Sequence, residues 1–129
     1  MKTRQELFDQ VSAHLMTQKV PALDGGECHY RDPLGRKCAV GCLIEDVNYN
    51  SAFEGLLVSS ENSPRSEGYR ILNNALLASG VDIADPSVVT LLAELQHLHD
   101  NVDAESWSEE LPVIAARLIL TFTPDNLTN

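Results

Sequence analysis

Apolar positions recur with a helical period in four stretches of this chain. Between residues 4 and 17, Leu7, Phe8, Val11, Leu15 and Met16 fall three or four positions apart, the spacing of one helix face. Thr3 and Glu6 mark its start as a capping box, each side chain serving the backbone N–H of the other. A second stripe runs through Tyr69, Leu72 and Leu76, with Ile71 and Ala75 beside it; Ser63-Pro64 opens that helix and Gly80 closes it. A third, made of Val88, Leu91, Leu92, Leu95, Leu98 and Val102, follows Asp85 as N-cap. The fourth is Trp107, Leu111, Ile114, Leu118 and Phe122, with Ser106 and Glu109 as a second capping box and Thr123-Pro124 as its end. Pro112 falls near its first turn, where a missing N–H costs least, and residues 125–129 are expected to fray.

The polar and apolar pattern between the first two stripes is different. Residues 19–26 read as a loop, broken by Pro21 and the Gly25-Gly26 pair. Asp32-Pro33-Leu34-Gly35 has the residues of a type I turn in order, which folds residues 28–31 back on 36–39 as a short hairpin. Ala39-Val40-Gly41-Cys42-Leu43-Ile44 then reads as a short buried helix ending at Asp46. Residues 47–53 add a turn or a short helix, and residues 55–63 a loop with an apolar patch at Leu56-Leu57-Val58. Each helical stripe needs another for burial. The expected fold class is therefore mainly α: a compact bundle of four main helices plus one short helix, with a small β-hairpin near residues 28–39, in a single domain spanning residues 1–129.

Charge changes the picture more than composition does. A chain of 129 residues with 43% hydrophobic positions has the material for one core, and its formal net charge is −10. That charge is unevenly placed. Residues 1–70 hold eight Lys/Arg and ten Asp/Glu, whereas residues 71–129 hold only Arg117 against nine Asp/Glu. Phosphate repulsion disfavours direct nucleic-acid contact through the second half. An acidic face of Glu94, Asp103, Glu105, Glu109 and Glu110 suits a protein partner with a basic surface, or serves solubility alone. No apolar run marks a signal peptide or a membrane span, and three cysteines make no complete disulfide set. A reducing cytoplasm is the expected location, with no membrane partner.

The candidate chemistry concentrates around the turn. Tyr30, Arg31, Arg36 and Lys37 place three cations beside a tyrosine on an otherwise acidic chain, fit for an anionic ligand or an acidic loop. Read otherwise, Arg31 and Arg36 are ion-pair partners of Asp32, Glu27 or the acidic half. Cys38 sits at the start of the expected short helix beside Lys37, and both features lower a thiol pKa. A nucleophile needs a base, and His99-Asp100 is the candidate pair elsewhere; His99 read otherwise is a helix C-terminal histidine on the dipole. His14, beside the first stripe, reads as a packed histidine. Cys28, Cys38 and Cys42 with His29, or with His97 or His99, form a minor zinc alternative, but their spacings of ten and four lack paired Cys-x-x-Cys hooks. Read otherwise, they are small buried hydrophobes. No Gly-rich phosphate loop, His-Glu-x-x-His pair or Gly-x-Ser-x-Gly elbow occurs, so no cofactor is expected.

The run from Tyr30 to Asp46, with Tyr30-Arg31-Asp32-Pro33-Leu34-Gly35-Arg36-Lys37-Cys38-Ala39-Val40-Gly41 at its head, resembles the signature of a family of small phage, prophage and bacterial proteins. Members read Tyr-Arg-Gly/Asp-Pro-x-Gly-x-Lys-Cys-Ala-x-Gly, then an apolar stretch closed by an acidic residue. Tyr49, Phe53-Glu54-Gly55, the segment from Leu95 to Asp100 and the Trp107 helix resemble family features in the same order. The resemblance implies a phage or bacterial origin, and hence a bacterial host cytoplasm; it implies no activity. The expected function is a small acidic phage-type binding protein that engages a host or defence component without catalysis. The alternatives are an enzyme or small-molecule binder centred on Tyr30, Arg31, Lys37, Cys38 and His99, and a zinc-stapled structural module.

Overall fold

Four α-helices carry the core of the computed structural model, which describes residues 1–56 and 67–123 except for the side chain of Asp24. α1 (Arg4–Gln18) starts at the expected capping box: Thr3 Oγ1 accepts the Glu6 N–H at 3.1 Å, and Glu6 Oε1 accepts the Thr3 N–H at 2.9 Å. Its buried face is Leu7, Phe8, Val11, Ser12 and Leu15. α2 (Glu67–Ala78) buries Leu72, Ala75 and Leu76, and the left-handed Gly80 ends it, with Val81 N–H reaching back to Leu76 C=O at 2.9 Å. α3 (Pro86–Asn101) is capped by Asp85, which accepts the Ser87 N–H at 2.9 Å, and buries Val88, Val89, Leu91, Leu92, Leu95, Leu98 and His99. α4 (Trp107–Arg117) buries Trp107, Leu111, Ile114 and Ala115. α1 packs on both α3 and α4, which also pack on each other, while α2 covers the turns after residue 45. Among the described residues, no helix is long and apolar enough to cross a membrane.

Three expectations about the helices change. The second capping box does not form. Ser106 lies in a 3-10 turn (Ala104–Ser106) with φ −97° and ψ −3°, so it lacks the extended backbone an N-cap hydroxyl needs. α4 also stops at Arg117, short of Phe122. Ile119 adopts φ 58°, and the chain turns back along α1. Gln5 holds that return segment through both its amide atoms, donating to Thr121 C=O at 2.8 Å and accepting Thr121 N–H at 2.9 Å, while Phe122 packs edge-on against Phe8. Finally, the short helix at residues 39–46 is replaced by separate 3-10 turns at Gly41–Leu43 and Asp46–Asn48. Ala39, Val40, Gly41, Leu43 and Ile44 are all buried. β-Branched and glycine residues favour an α-helix weakly, and core packing decides the backbone of so short a run.

The β-structure lies earlier than expected. β1 (Leu23–Asp24) pairs antiparallel with β2 (Glu27–Cys28), Leu23 opposite Cys28 and Asp24 opposite Glu27. Gly25 and Gly26, at φ 62° and 85°, supply the two positive angles that a type I′ turn requires. Within residues 28–39 the expected hairpin is reduced to one isolated antiparallel bridge, Arg31 opposite Lys37. The helix opening at Ser63-Pro64, the patch at Leu57-Val58 and the chain end from Pro124 lie outside the described residues.

Candidate functional site

The turn at Asp32-Pro33-Leu34-Gly35 is built around one carboxylate. Gly35 N–H donates to Asp32 C=O at 3.1 Å, and Gly35 takes φ 83°. Asp32 Oδ1 accepts the N–H groups of Leu34 and Arg36 at 2.9 and 2.8 Å, while Oδ2 accepts the Leu23 N–H and pairs with the Arg36 guanidinium. Its side chain is fully buried. Burial pushes the Asp32 carboxyl up, but the Arg36 and backbone hydrogen bonds outweigh it and hold the group below the ordinary aspartate range.

On either side of the bridge the chain is clamped by two other polar side chains. Glu54 accepts the N–H groups of Tyr30 and Arg31 at 2.8 and 3.1 Å and the Tyr49 hydroxyl at 2.6 Å. Gln18 accepts Lys37 N–H and donates to Lys37 C=O, both at 2.9 Å; His14 Nε2 also donates to that carbonyl, at 2.8 Å. Gly41 then passes so close to the Tyr30 carbonyl that an added Cβ would lie 2.1 Å from its oxygen. The turn, the bridge and the buried Ala39–Leu43 run thus form one rigid unit.

The residues singled out in the sequence divide into two groups. Arg31, Arg36 and Lys37 are half-buried and held in ion pairs. Arg31 pairs with Asp46 at 2.8 Å, donates to Ile44 C=O at 3.0 Å and lies 4.5 Å from the centre of the Tyr49 ring. Lys37 reaches the same Asp46 at 3.5 Å, and Arg36 is held by Asp32. Tyr30, Cys38 and Asp100 instead line a small cleft, with Cys28, His29, Gly55, Leu56 and Gln96. The cleft encloses about 70 Å³, room for an ion or a few waters and well below the roughly 300 Å³ at which drug-sized pockets begin. The cations of the turn therefore do not share a cleft with Cys38 or His99.

The polar groups of the cleft are partnered within the fold. Asp100 Oδ1 accepts from His99 Nδ1 and Gln96 Nε2, each at 2.7 Å, and the Cys28 thiol donates to the same carboxylate. Burial pushes the Asp100 carboxyl up, but these hydrogen bonds outweigh it and hold it below the ordinary range. Gln96 Oε1 meanwhile accepts Val40 N–H at 3.1 Å, tying α3 to the buried run. His99 is buried, stacks on Trp107 with ring centres 5.7 Å apart, and takes the Ala22 N–H on Nε2 at 2.9 Å. A ring nitrogen that accepts an N–H carries no proton, so Nδ1 holds it and the ring is neutral. This is a packed histidine built into the fold rather than a cation on the helix dipole.

The thiols follow from the same burial. Cys38 is buried and accepts Gly41 N–H at 3.2 Å, and burial drives its pKa up, against the lowering expected from Lys37 and a helix start. Burial and the Asp100 charge push the Cys28 thiol up to about 11, and burial pushes Cys42 up to about 12. The sequence set Cys28, Cys38, Cys42 and His29 is not gathered around one point. Among the described residues, the group of three that lies at metal-binding spacing is Cys28, His99 and Asp100, their donor atoms all within 4.8 Å of one another. Gln18 went unnoticed in the sequence, and Glu54 and Gln96 enter it only within segments that resemble family features, because all three hold backbone groups, which no side-chain spacing announces. The acidic face is only partly free: Asp103, Glu105 and Glu109 are exposed, Glu110 is half-buried, and Glu94 accepts from Arg117 at 2.6 Å. Set against family models, curated proteins and solved structures, the chain matches none of them.

Proposed function

We propose that this chain is a small acidic binding protein of phage or prophage type that engages a host or defence component in the bacterial cytoplasm, and catalyses no reaction. The observation that carries the reading is how the cleft disposes of its reactive groups. Cys28 is pinned as a thiol on Asp100, Cys38 is buried with a raised pKa, and the Tyr30 hydroxyl is spent on Leu56 C=O. Nucleophilic catalysis needs a group activated by a lowered pKa or an adjacent base, and here the environment works the other way. What remains presented to solvent is charge. Asp103, Glu105 and Glu109 stand exposed around the start of α4, in the half of the chain whose one cation is Arg117. The resemblance of the Tyr30–Asp46 run to phage and prophage proteins supplies the setting.

The test is direct binding. Immobilised protein is exposed to soluble bacterial lysate, the retained species is identified, and binding is repeated with that species purified. The reading expects a saturable complex that the double variant Asp103→Lys/Glu105→Lys weakens. Retention of chaperones alone, or a purified complex indifferent to both changes, counts against it.

A further inference from the structure

We propose that Cys28 Sγ, His99 Nδ1 and an Asp100 carboxylate oxygen form a site for one divalent metal ion of the zinc or cobalt type. This goes beyond the partner-binding reading and stands independently of it. Sulfur, imidazole nitrogen and carboxylate oxygen together suit a borderline-soft ion; magnesium and calcium prefer oxygen alone. The three donor atoms lie within 4.8 Å of one another, and His99 Nδ1 is 2.7 Å from Asp100 Oδ1. Ligands on one tetrahedral ion stand about 3.5 Å apart, given bonds of about 2.0–2.3 Å. The 2.7 Å contact between His99 and Asp100 is a hydrogen bond, and it opens toward that spacing once the ion takes the place of the shared proton.

The supporting groups are already in place. Gln96, anchored by Val40 N–H, fixes the Asp100 carboxylate, and Trp107 holds the plane of the His99 ring. Such outer partners orient metal ligands and tune their affinity. The cleft beside Cys28 and Asp100 leaves the fourth position to water.

Uptake has a specific proton balance. The metal-free cluster is held by the Cys28 S–H and the His99 Nδ1–H, both directed at Asp100. On binding, sulfur, nitrogen and carboxylate oxygen each form a bond to the ion. The thiol proton leaves to solvent. The Nδ1 proton is replaced by one on Nε2, so His99 stays neutral. Nε2 can then no longer accept the Ala22 N–H that it holds at 2.9 Å. Loading the site therefore releases one proton and frees the Ala22 amide.

Cobalt(II) titration into the full, reduced chain tests this. The expected result is one ion per chain with a sulfur-to-cobalt charge-transfer band, at least tenfold weaker binding in Asp100→Asn, and loss of the band in Cys28→Ser. Amide hydrogen exchange at Ala22 should quicken when the wild-type chain is loaded, a reading that needs no variant to fold. The proposal is overturned if the wild type shows no band, if the band survives Cys28→Ser but disappears in Cys38→Ser or Cys42→Ser, or if Ala22 exchange is unchanged in the loaded protein.

Discussion

Asp32 shows how much of the local design rests on one carboxylate. It closes its own turn through Leu34 and Arg36, reaches Leu23 on β1, and neutralises the Arg36 guanidinium while its side chain is fully buried. Asp32→Asn keeps the size and one acceptor oxygen but removes the charge. A charged hydrogen bond lost in this way costs about 2 kcal/mol, so the variant should unfold at lower urea at neutral pH. The pH dependence has a definite sign. The folded pKa lies below the unfolded value of about 3.9, so the folded state binds the proton less readily. The stabilisation is whole above about pH 4 and is lost as pH falls through the lowered folded value. Wild type and variant should accordingly converge in acid. Urea midpoints that run parallel from about pH 7 to about pH 2 would show that the charge of Asp32 contributes nothing.

At the scale of elements, the helices were legible and the segment between α1 and α2 only partly so. α1, α3 and most of α4 follow from apolar stripes, and two of the three expected caps form because Thr3 and Asp85 precede helices in extended backbone. The stripe overshoots α4 because Leu118 is its C-cap and Phe122 keeps the helical spacing while packing from the returning segment, against Phe8. The Asp-Gly-Gly signal of the 23–28 hairpin was present but was read as a flexible loop. The sequence offers Cys28 with His99 only inside a three-cysteine zinc set, and Asp100 only as the partner of His99; that these three and not Cys38 or Cys42 meet depends on how distant parts of the chain pack, which no local pattern announces. Two backbone sites test this scale. Gly41→Ala drives a Cβ to 2.1 Å from the Tyr30 carbonyl and should cost about 3 kcal/mol. Gly35→Ala, at φ 83° with open space around it, should cost only about 1 kcal/mol. Equal losses in denaturant melts would mean that the close approach of Gly41 does not hold the unit together. Ile119, a β-branched residue at φ 58° and 89% exposed, is strained without packing to justify its side chain. Ile119→Gly should therefore stabilise the protein by about 1 kcal/mol, and a lower melting temperature in the variant would contradict that.

For the molecule as a whole, the question is whether the lopsided charge does anything beyond solubility. The turn cations are already matched by Asp32 and Asp46, while among the described residues Asp103, Glu105 and Glu109 around the start of α4 are in no ion pair. Carboxylates at a helix N-terminus also favour the helix dipole, so Glu109, in the first turn of α4, has a structural use of its own. Asp103 and Glu105 precede the helix and are the cleaner probes. If the acidic half steers a basic partner, association should be fast at low salt and slow as the Debye length shrinks from about 10 Å at 0.1 M to about 3 Å at 1 M. Asp103→Lys/Glu105→Lys should then lower the on-rate by about tenfold or more at low salt and flatten its salt dependence, with dissociation little changed, because rim charges act on encounter rather than on the formed complex. Its urea midpoint should stay close to that of the wild type, since exposed charges outside the helix contribute little to stability. On-rates for both chains against the purified partner, taken across that salt range, decide the matter. A wild-type on-rate that ignores salt would move the contact to the uncharged surface, where Leu34 at the tip of the turn and Val47 beside Asp46 stand 78% and 89% exposed.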